Sequence, residues 1–111
     1  RNGIMVDAKG RGVYTYDGDL KAGTSSCDSR CISLWPPIYA AADAQPHGPY
    51  TIVPTTNGRR MWAYNGKPVY RWLADKKRGD AGGDGVSGVW HLVRLDAKAA
   101  KDVTPFSAAE R

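Results

Sequence analysis

The feature that most constrains the fold is a motif that occurs twice, with equivalent positions 56 residues apart. The stretches VYTYDGDLKAG at 13–23 and VYRWLADKKRG at 69–79 carry the same or similar residues in the same order. The matched pairs are Val13 with Val69, Tyr14 with Tyr70, Tyr16 with Trp72, Asp19 with Asp75, Lys21 with Lys77 and Gly23 with Gly79. Each half of this chain of 111 residues is therefore one copy of a unit, and so short a unit seldom buries enough apolar surface alone. The repeat predicts two copies closed around one shared core.

Weaker matches extend the repeat in both directions. They align Met5 with Met61, Gly10 with Gly66 and, after the offset shortens by one residue, Trp35 with Trp90. A change of one residue in the offset is what a difference in loop length produces. We expect a single domain over 1–96, built of two repeats at about 1–48 and 49–96, followed by a polar tail over 97–111.

The rest of the chain carries the signals of short strands and tight turns. Alternation around the first motif places Tyr14 and Tyr16 on one face of a strand. A three-stranded meander is predicted over 50–73, because Asn57-Gly58 and Asn65-Gly66 bracket a strand there. Asn-Gly favours type I′ hairpin turns, in which both central residues have a positive φ. The predicted fold is mainly β, with two antiparallel β repeats related by a pseudo-twofold axis and sharing an aromatic core.

Three further elements complete the predicted fold. The residues DAKG at 7–10 are expected to form a turn in the first repeat, and 88–95 a further strand. One short helix is predicted near 27–35, because Pro36-Pro37 ends it and Ser25 or Ser26 would cap its start.

Aromatic residues are the main material for a core, since the chain has four Trp, six Tyr and one Phe. Those expected on one face of the strands are Tyr14, Tyr16, Trp62, Tyr64, Tyr70 and Trp72, with Trp90 beside them. Such a cluster builds either a core between two β layers or a platform on which sugars stack. We interpret it as the shared core and keep the platform as the alternative.

The net charge of +5 and the isoelectric point near 9.4 raise the question of a nucleic-acid partner. The basic residues are scattered apart from Arg59-Arg60 and Lys76-Lys77-Arg78, and the chain has neither a basic helix nor an RNA-binding signature. A solvated basic surface is the simpler interpretation, and no nucleic-acid partner is expected. No apolar run reaches the roughly 18 residues of a membrane span, so membrane association is expected only through a lipid anchor that would precede Arg1.

The aspartates of the two motifs, Asp19 and Asp75, stand where each strand must turn into a glycine-containing loop. An Asp at such a turn accepts backbone N–H groups and holds the loop closed. Two carboxylates are also the catalytic pair of a glycosidase, but that role needs both in one cleft. A twofold axis would place them at equivalent ends instead. We therefore predict that both motifs are structural, and no nucleophile elbow points to a hydrolase.

Two candidate metal sites are present, and neither pattern is complete. In GDAGGDG at 79–85, Asp80 and Asp84 match positions of a calcium loop, but Gly82 stands where that loop needs a side-chain oxygen. His91 stands where the closing glutamate belongs. The candidate copper ligands are His91, His47, Met5 and Met61. The simpler interpretation is a glycine-rich turn without a cofactor, with calcium at Asp80 and Asp84 or copper at His91 as the alternatives.

These motifs resemble a bacterial family described as the secreted repeat of unknown function, which comprises predicted lipoproteins with a Yx(FWY)xxD motif. The matching segments are Tyr14-Thr15-Tyr16 with Asp19, Tyr70-Arg71-Trp72 with Asp75, Cys27 and Cys31 with Trp35-Pro36-Pro37, Trp62-Ala63-Tyr64 with Gly66-Lys67-Pro68, and GDGVSGVWHL at 83–92. Together they cover about residues 3 to 94. The resemblance implies an exported protein, in the periplasm or on the bacterial surface and often lipid-anchored. It implies no activity.

Cys27 and Cys31 are the two cysteines of the chain, and the repeat offset pairs them with Gly83 and Ser87. Four residues apart on a helix, their Cα atoms would be about 6 Å apart, within the range of a disulfide. Two cysteines in a chain that resembles exported proteins favour a bond with each other. We predict a Cys27–Cys31 disulfide that acts as a structural staple, with a redox-active bond as the alternative.

The sequence thus predicts an exported, non-enzymatic small domain for binding or interaction. Its partner is expected to be an envelope protein or ligand that the sequence does not identify. One alternative is a periplasmic redox or copper-handling protein that uses Cys27 and Cys31. The other is a module that binds cell-wall carbohydrate.

Overall fold

The structure, a computed structural model, describes residues 3–19, 25–95 and Phe106. Its elements in chain order are β1 (Tyr14–Tyr16), α1 (Ser29–Leu34), β2 (Tyr50–Pro54), β3 (Arg60–Tyr64), β4 (Lys67–Pro68), a single 3₁₀ turn (Val86–Gly88) and β5 (Trp90–Leu92). The strands form two antiparallel sheets, one of β1 and β5 and one in the order β2-β3-β4. The prediction of a mainly β fold with one short helix is confirmed.

The predicted meander is present as β2, β3 and β4, and its two Asn-Gly sequences form different turns. Asn65 and Gly66 have φ angles of 51° and 81°, as the predicted type I′ turn requires. The same prediction for Asn57-Gly58 is wrong, because only Gly58 has a positive φ there. The Thr55 carbonyl accepts the Gly58 N–H, and the loop contains three residues with glycine in the left-handed position.

The predicted turn at 7–10 corresponds to the Asn65-Gly66 turn, but it is one residue longer. The Asp7 N–H donates to the Arg11 carbonyl at 2.8 Å, and the Gly10 N–H donates to the Asp7 carbonyl at 2.9 Å. Three residues therefore form this loop. The extra residue changes the repeat offset of the residues that precede the turn.

Met5 is consequently the structural equivalent of Trp62. The Met5 carbonyl accepts the Val13 N–H at 3.2 Å, as the Trp62 carbonyl accepts the Val69 N–H at 3.1 Å. The sequence match of Met5 with Met61 is wrong for this reason.

Tyr14 and Tyr70 lie side by side on the axis that relates the two repeats. The N–H of each residue donates to the carbonyl of the other, both over 2.8 Å. The neighbouring bonds follow the same symmetry, from Val93 to Val13 at 2.9 Å and from Ile38 to Val69 at 3.1 Å. Equivalent residues have equivalent surroundings, which confirms the predicted pseudo-twofold relation.

Buried residues form two clusters on opposite faces of the motif strands. The valine cluster contains Met5, Val13, Ile38, Tyr50, Trp62, Val69, Val93 and Phe106. The aromatic cluster contains Tyr14, Cys27, Trp35, Val53, Met61, Ala63, Tyr70 and Trp90, with partly buried side chains that include Tyr16 and Trp72. Val13 and Tyr14 thus belong to different clusters, as the alternation along a strand predicts.

The predicted placement of Trp62 and Tyr64 with the other aromatic residues is wrong. The pairing of Ala63 with Pro68 puts Trp62 opposite Val69, and residues directly opposite in an antiparallel pair share a face. Trp62 therefore lies with Val69 in the valine cluster, and Tyr64 packs against the same cluster.

Helix α1 begins at Ser29 and is capped by Asp28, whose side chain accepts the Cys31 N–H at 3.0 Å. The predicted caps, Ser25 and Ser26, bind residues of the two motifs instead. The prediction of a serine cap is wrong because the repeat interface engages both serines.

Phe106 lies within 97–111, the segment predicted as a polar tail, and its side chain is buried in the valine cluster. Its ring centroid is 5.8 Å from that of Tyr50, in an edge-on contact at 86°. The other residues of that segment lie outside the described residues, as do Lys21 and Gly23 of the first motif.

Replacing Gly83 with Ala tests how tightly the aromatic cluster is packed. A Cβ at this position would lie 2.8 Å from Trp35 Cη2 and 3.0 Å from Tyr14 Cζ, both in buried rings. We expect Gly83→Ala to lower the free energy of unfolding by about 1–3 kcal/mol in urea denaturation, as overpacking of a core does. Gly82→Ala is the control, because its Cβ would lie 3.2 Å from the half-buried Trp72 ring. An equal loss in both variants would contradict this account of the packing.

Candidate functional site

The Tyr and Asp side chains of the two motifs bond across the twofold axis. Tyr14 Oη donates to Asp75 Oδ2 at 2.5 Å, and Tyr70 Oη donates to Asp19 Oδ2 at 2.7 Å. Each hydrogen bond joins the tyrosine of one repeat to the aspartate of the other. Sequence reasoning identified these four residues but missed the exchange of partners.

The second oxygen of each carboxylate holds the loop that follows its own motif. Asp75 Oδ1 accepts the Gly82 N–H at 3.0 Å, and Asp19 Oδ1 accepts the Ser26 N–H at 2.7 Å. Hydrogen bonds to a carboxylate are stronger than those between neutral groups. Each aspartate therefore ties a local loop to the opposite repeat.

The spacing within Tyr-x-aromatic-x-x-Asp has a backbone reason. The Asp19 N–H donates to the Tyr16 carbonyl and the Asp75 N–H to the Trp72 carbonyl, each at 3.0 Å. A bond between residues three apart closes a tight turn directly after the strand. The strand thus presents the two aromatic side chains, and the turn brings the carboxylate to the repeat interface.

Their surroundings hold the hydroxyls of Tyr14 and Tyr70 in the neutral form. Burial raises the pKa of each far above its ordinary value, and the hydrogen bond to the partner carboxylate raises it further. The Gly83 N–H, which donates to Tyr14 Oη at 2.9 Å, lowers the pKa of Tyr14 by a smaller amount. Ionisation of either tyrosine would place two negative charges in contact inside the protein.

Four aromatic rings are stacked through the centre of the aromatic cluster. Trp35 and Trp90 lie face to face, with ring centroids 3.9 Å apart and planes 4° apart. Tyr16 stacks on Trp90 at 4.5 Å, and Trp72 stacks on Trp35 at 5.4 Å. Each outer ring comes from one motif and contacts the tryptophan of the other repeat. The match of Trp35 with Trp90 was the sequence signal for this stack.

Comparison with known families agrees with this duplicated geometry. A family model described as the secreted repeat of unknown function matches residues 2–39 and 51–94, one match for each repeat. The chain belongs to this family of secreted repeats. Both motifs and all four stacked rings lie within the matched residues, which confirms the resemblance found in the sequence. Searches of curated proteins and of solved structures returned no match.

A shallow depression lies beside the stacked rings of this secreted repeat. Its volume is about 300 Å³, and it is lined by Tyr16, Asp28, Arg30, Cys31, Leu34, Trp35, Ser87, Val89 and Trp90. Next to it, the Leu73 N–H donates to the Leu34 carbonyl at 2.8 Å. Leu34 and Leu73 are 52% and 47% exposed, and they are the exposed large hydrophobic residues of the described part of the chain. We call the depression together with Leu73 the leucine face.

Sequence reasoning missed both leucines. Leu34 ends a helix of six residues that has no buried residue, so no periodic pattern marks its exposure. Leu73 directly follows Trp72, and alternation along the chain turns it away from the stacked rings. That alternation was the available signal for Leu73.

The predicted disulfide between Cys27 and Cys31 is present, with Cα atoms 5.2 Å apart. Cys27 precedes the helix cap, so the prediction that both cysteines lie on the helix is wrong. Cys27 is fully buried in the aromatic cluster, whereas Cys31 is half-buried and lines the leucine face. The bond therefore fixes α1 to the aromatic cluster.

The candidate metal ligands Asp80, Asp84 and His91 contact three different groups. Asp80 accepts the N–H groups of Lys76 and Lys77, which lower the pKa of its carboxyl. Asp84 binds the Leu92 N–H and the Arg94 guanidinium, and His91 Nε2 lies 3.0 Å from Asp17 Oδ2. Met5 and Met61 lie in different clusters. Within residues 3–19, 25–95 and 106, no three His, Cys, Asp or Glu side chains are grouped so as to hold a metal ion.

None of the helices in the described residues is long and apolar enough to cross a membrane.

Asp75→Ala would leave the Tyr14 hydroxyl and the Gly82 N–H without their acceptor. We expect the free energy of unfolding to fall by about 1–3 kcal/mol, and by less in Asp75→Asn, which keeps one accepting oxygen. A double-mutant cycle with Tyr14→Phe should give a coupling energy above about 0.5 kcal/mol. In the same cycle Tyr64→Phe is the control and should show no coupling with Asp75→Ala, because the Tyr64 hydroxyl bonds no other described residue. Equal melting temperatures for the wild type and Asp75→Ala would rule out the structural role of this carboxylate.

Stability should also depend on alkaline pH. The folded-state pKa values of Tyr14 and Tyr70 lie above those of the unfolded chain, so the folded state keeps protons that the unfolded state releases. This contribution is complete below about pH 10 and is lost as the pH rises through the folded-state pKa. We expect the free energy of unfolding to fall by up to about 1.4 kcal/mol per pH unit for each tyrosine above about pH 10. Urea denaturation at a series of pH values should show a smaller slope for Tyr14→Phe than for the wild type. Identical slopes in the two proteins would contradict the assignment.

Proposed function

We propose that this chain is an exported, non-enzymatic binding domain and that the leucine face is its recognition surface. The observation that carries this proposal is the exposure of Leu34 and Leu73 beside a depression lined by stacked rings. Single exposed leucines are normal on protein surfaces, but Leu34 lines the depression and the backbone of Leu73 is bonded to Leu34, so the two residues extend the apolar surface there. A partner that covers this apolar surface removes it from water, which favours binding.

The rigidity of the leucine face supports this role. Trp35 and Trp90 line the depression and are also the central rings of the stack. The Cys27–Cys31 bond fixes α1, which carries Leu34. A surface that is already ordered loses little conformational entropy when a partner binds.

The surroundings of the motif carboxylates support a role without catalysis. Asp75 is 4% exposed, and its two oxygens accept the Tyr14 hydroxyl and the Gly82 N–H. Asp19 accepts equivalent donors. A catalytic carboxylate must reach a substrate, whereas these two carboxylates are engaged in holding the repeats together.

The redox or copper alternative meets a physical obstacle at Cys27. A thiolate from a partner would attack the half-buried sulfur of Cys31 and expel Cys27 as a thiolate. Cys27 is fully buried, and its Sγ lies 4.0 Å from the Trp35 carbonyl oxygen. Apolar surroundings and a nearby carbonyl oxygen both disfavour a negative charge on this sulfur. We therefore propose that the disulfide is a structural staple.

The carbohydrate alternative lacks an exposed aromatic platform. Every Trp, Tyr and Phe of the chain lies within the described ranges, and each is buried or half-buried. Sugar stacking needs an accessible ring face. The leucine face offers aliphatic side chains at its most exposed points, which favours a different kind of partner.

We propose an extracytoplasmic location, in the periplasm or on the cell surface. We further propose that a lipid anchor before Arg1 attaches the chain to the membrane. The family description as secreted supports export. The disulfide supports an oxidising compartment. The partner is then a component of the cell envelope.

Site-specific photo-crosslinking in the native envelope tests this proposal. A photoreactive residue at position 34 should form covalent adducts with a component of the cell envelope. The same residue at the exposed Thr51 of β2 should form none. Equal adducts at both positions, or none at either, would reject the leucine face as the recognition surface. A folded Cys27→Ala, Cys31→Ala variant should keep the adducts at a reduced yield, because the partner contacts Leu34 while the disulfide only orders α1. Loss of the adducts in that folded variant would favour the redox alternative.

A further inference from the structure

We propose that the leucine face docks onto the surface of an anionic lipid bilayer. In this arrangement Leu34 and Leu73 enter the headgroup region, and Arg30, Lys76 and Lys77 meet the negative charges of the lipids. The inference rests on the proposed function, because it names the chemistry of the partner that the same face binds.

The two leucines are exposed, one at the end of a helix and the other in a turn. Leu34 is the last residue of α1, and Leu73 lies in an exposed turn after the second motif. The bond from the Leu73 N–H to the Leu34 carbonyl, at 2.8 Å, keeps the two residues adjacent. Adjacent exposed leucines can enter a lipid headgroup layer without any change in the fold, as the apolar side of an interfacial helix does.

Three basic residues lie close to the same leucines along the chain. Arg30 and Leu34 are four residues apart on α1, so both lie on one side of the helix. Lys76 and Lys77 follow Leu73 by three and four residues, which keeps their Cα atoms within about 14 Å of it. All three basic side chains are exposed, and none forms an ion pair with another described residue.

The exposed charge of residues 28–34 and 73–80 is positive. Its free basic members are Arg30, Lys76 and Lys77, since the Arg78 side chain packs over Gly10, and its acidic members are Asp28 and the half-buried Asp80. Both carboxylates accept backbone N–H groups and so stay close to the protein surface. Lys and Arg side chains are longer and extend toward a partner. With a net charge of +5 for the whole chain, this arrangement matches a negatively charged surface.

The charge and the shape of the face favour a bilayer over a protein partner. A protein segment that filled the depression would cover Leu34 and Arg30, but Leu73, Lys76 and Lys77 lie outside it. Apolar tips flanked by cations suit an interface whose outer layer is anionic and whose inner layer is apolar.

Co-sedimentation with vesicles tests the inference on the full chain. The chain should bind vesicles of equal parts phosphatidylglycerol and phosphatidylcholine, bind phosphatidylcholine vesicles weakly, and dissociate at high salt. Leu34→Ser with Leu73→Ser should lower the partition coefficient about tenfold or more, because two partly buried leucines are lost. Lys76→Glu with Lys77→Glu should lower it about 25-fold or more, since each basic residue near an anionic surface contributes about fivefold.

The matched control is Lys67→Glu, compared with Lys77→Glu alone, because both replace one exposed lysine and Lys67 lies in β4. The Lys67→Glu variant should retain most of the binding. Equal losses in these two single variants would show adsorption without a defined face and would overturn the inference. All variants change exposed side chains, and unchanged melting temperatures verify that they are folded.

The outcome also separates this inference from the proposed function. No vesicle binding, together with a protein adduct at position 34, would overturn the bilayer as partner and leave the binding domain intact. No vesicle binding and no adduct would reject both. Vesicle binding that depends on Leu34 and Leu73 supports both.

Discussion

The backbones of Tyr14 and Tyr70 exchange two hydrogen bonds across the twofold axis, and the other contacts between the repeats depend on this pair. The pair brings the first residue of each motif to the boundary between the repeats. Each tyrosine hydroxyl then reaches the carboxylate of the other repeat, because the turn after each motif returns its aspartate to the same boundary. The outer rings of the stack contact the opposite repeat for the same reason. One pair of backbone bonds thus explains why the motif combines two aromatic residues with an aspartate.

The duplication could be predicted from the sequence, but the partners within it could not. The 56-residue offset and the Asn65-Gly66 turn are local patterns, and both predicted structure correctly. The match of a residue with its equivalent in the other repeat says only that the two have similar surroundings. It does not say whether Tyr14 bonds the aspartate of its own motif or that of the other. Trp62 was misplaced because its face depends on the register between β3 and β4, which the sequence does not show. The strand before the 7–10 turn was matched wrongly for a different reason, because one extra residue in that turn changes which residues of the two repeats are equivalent.

The candidate binding surface was harder to predict because it departs from the symmetry. The first repeat has a disulfide-linked helix where the second has the 3₁₀ turn after Gly85. Gly83, which corresponds to Cys27, donates its N–H to the Tyr14 hydroxyl and leaves room for the Trp35 ring. Cys27 instead carries a side chain into the aromatic cluster and ties it to α1. The two halves are therefore alike where they contact each other and different on the outside, and the leucine face occurs once in the part of the chain that the structure describes.

The exchanged tyrosine–aspartate bonds also determine the order of events when the chain folds. Their partners are separated by 61 and 51 residues along the sequence. Neither bond can close until the second motif is available, so the first half of the chain cannot complete its own interface while it is alone. Contacts so distant in sequence are slow to form, because a long loop must be closed before they contribute. The duplicated motif makes the two halves look like separate small modules, but its exchanged bonds join them into a single cooperative folding unit. A substitution that disrupts either motif therefore destabilises the whole domain.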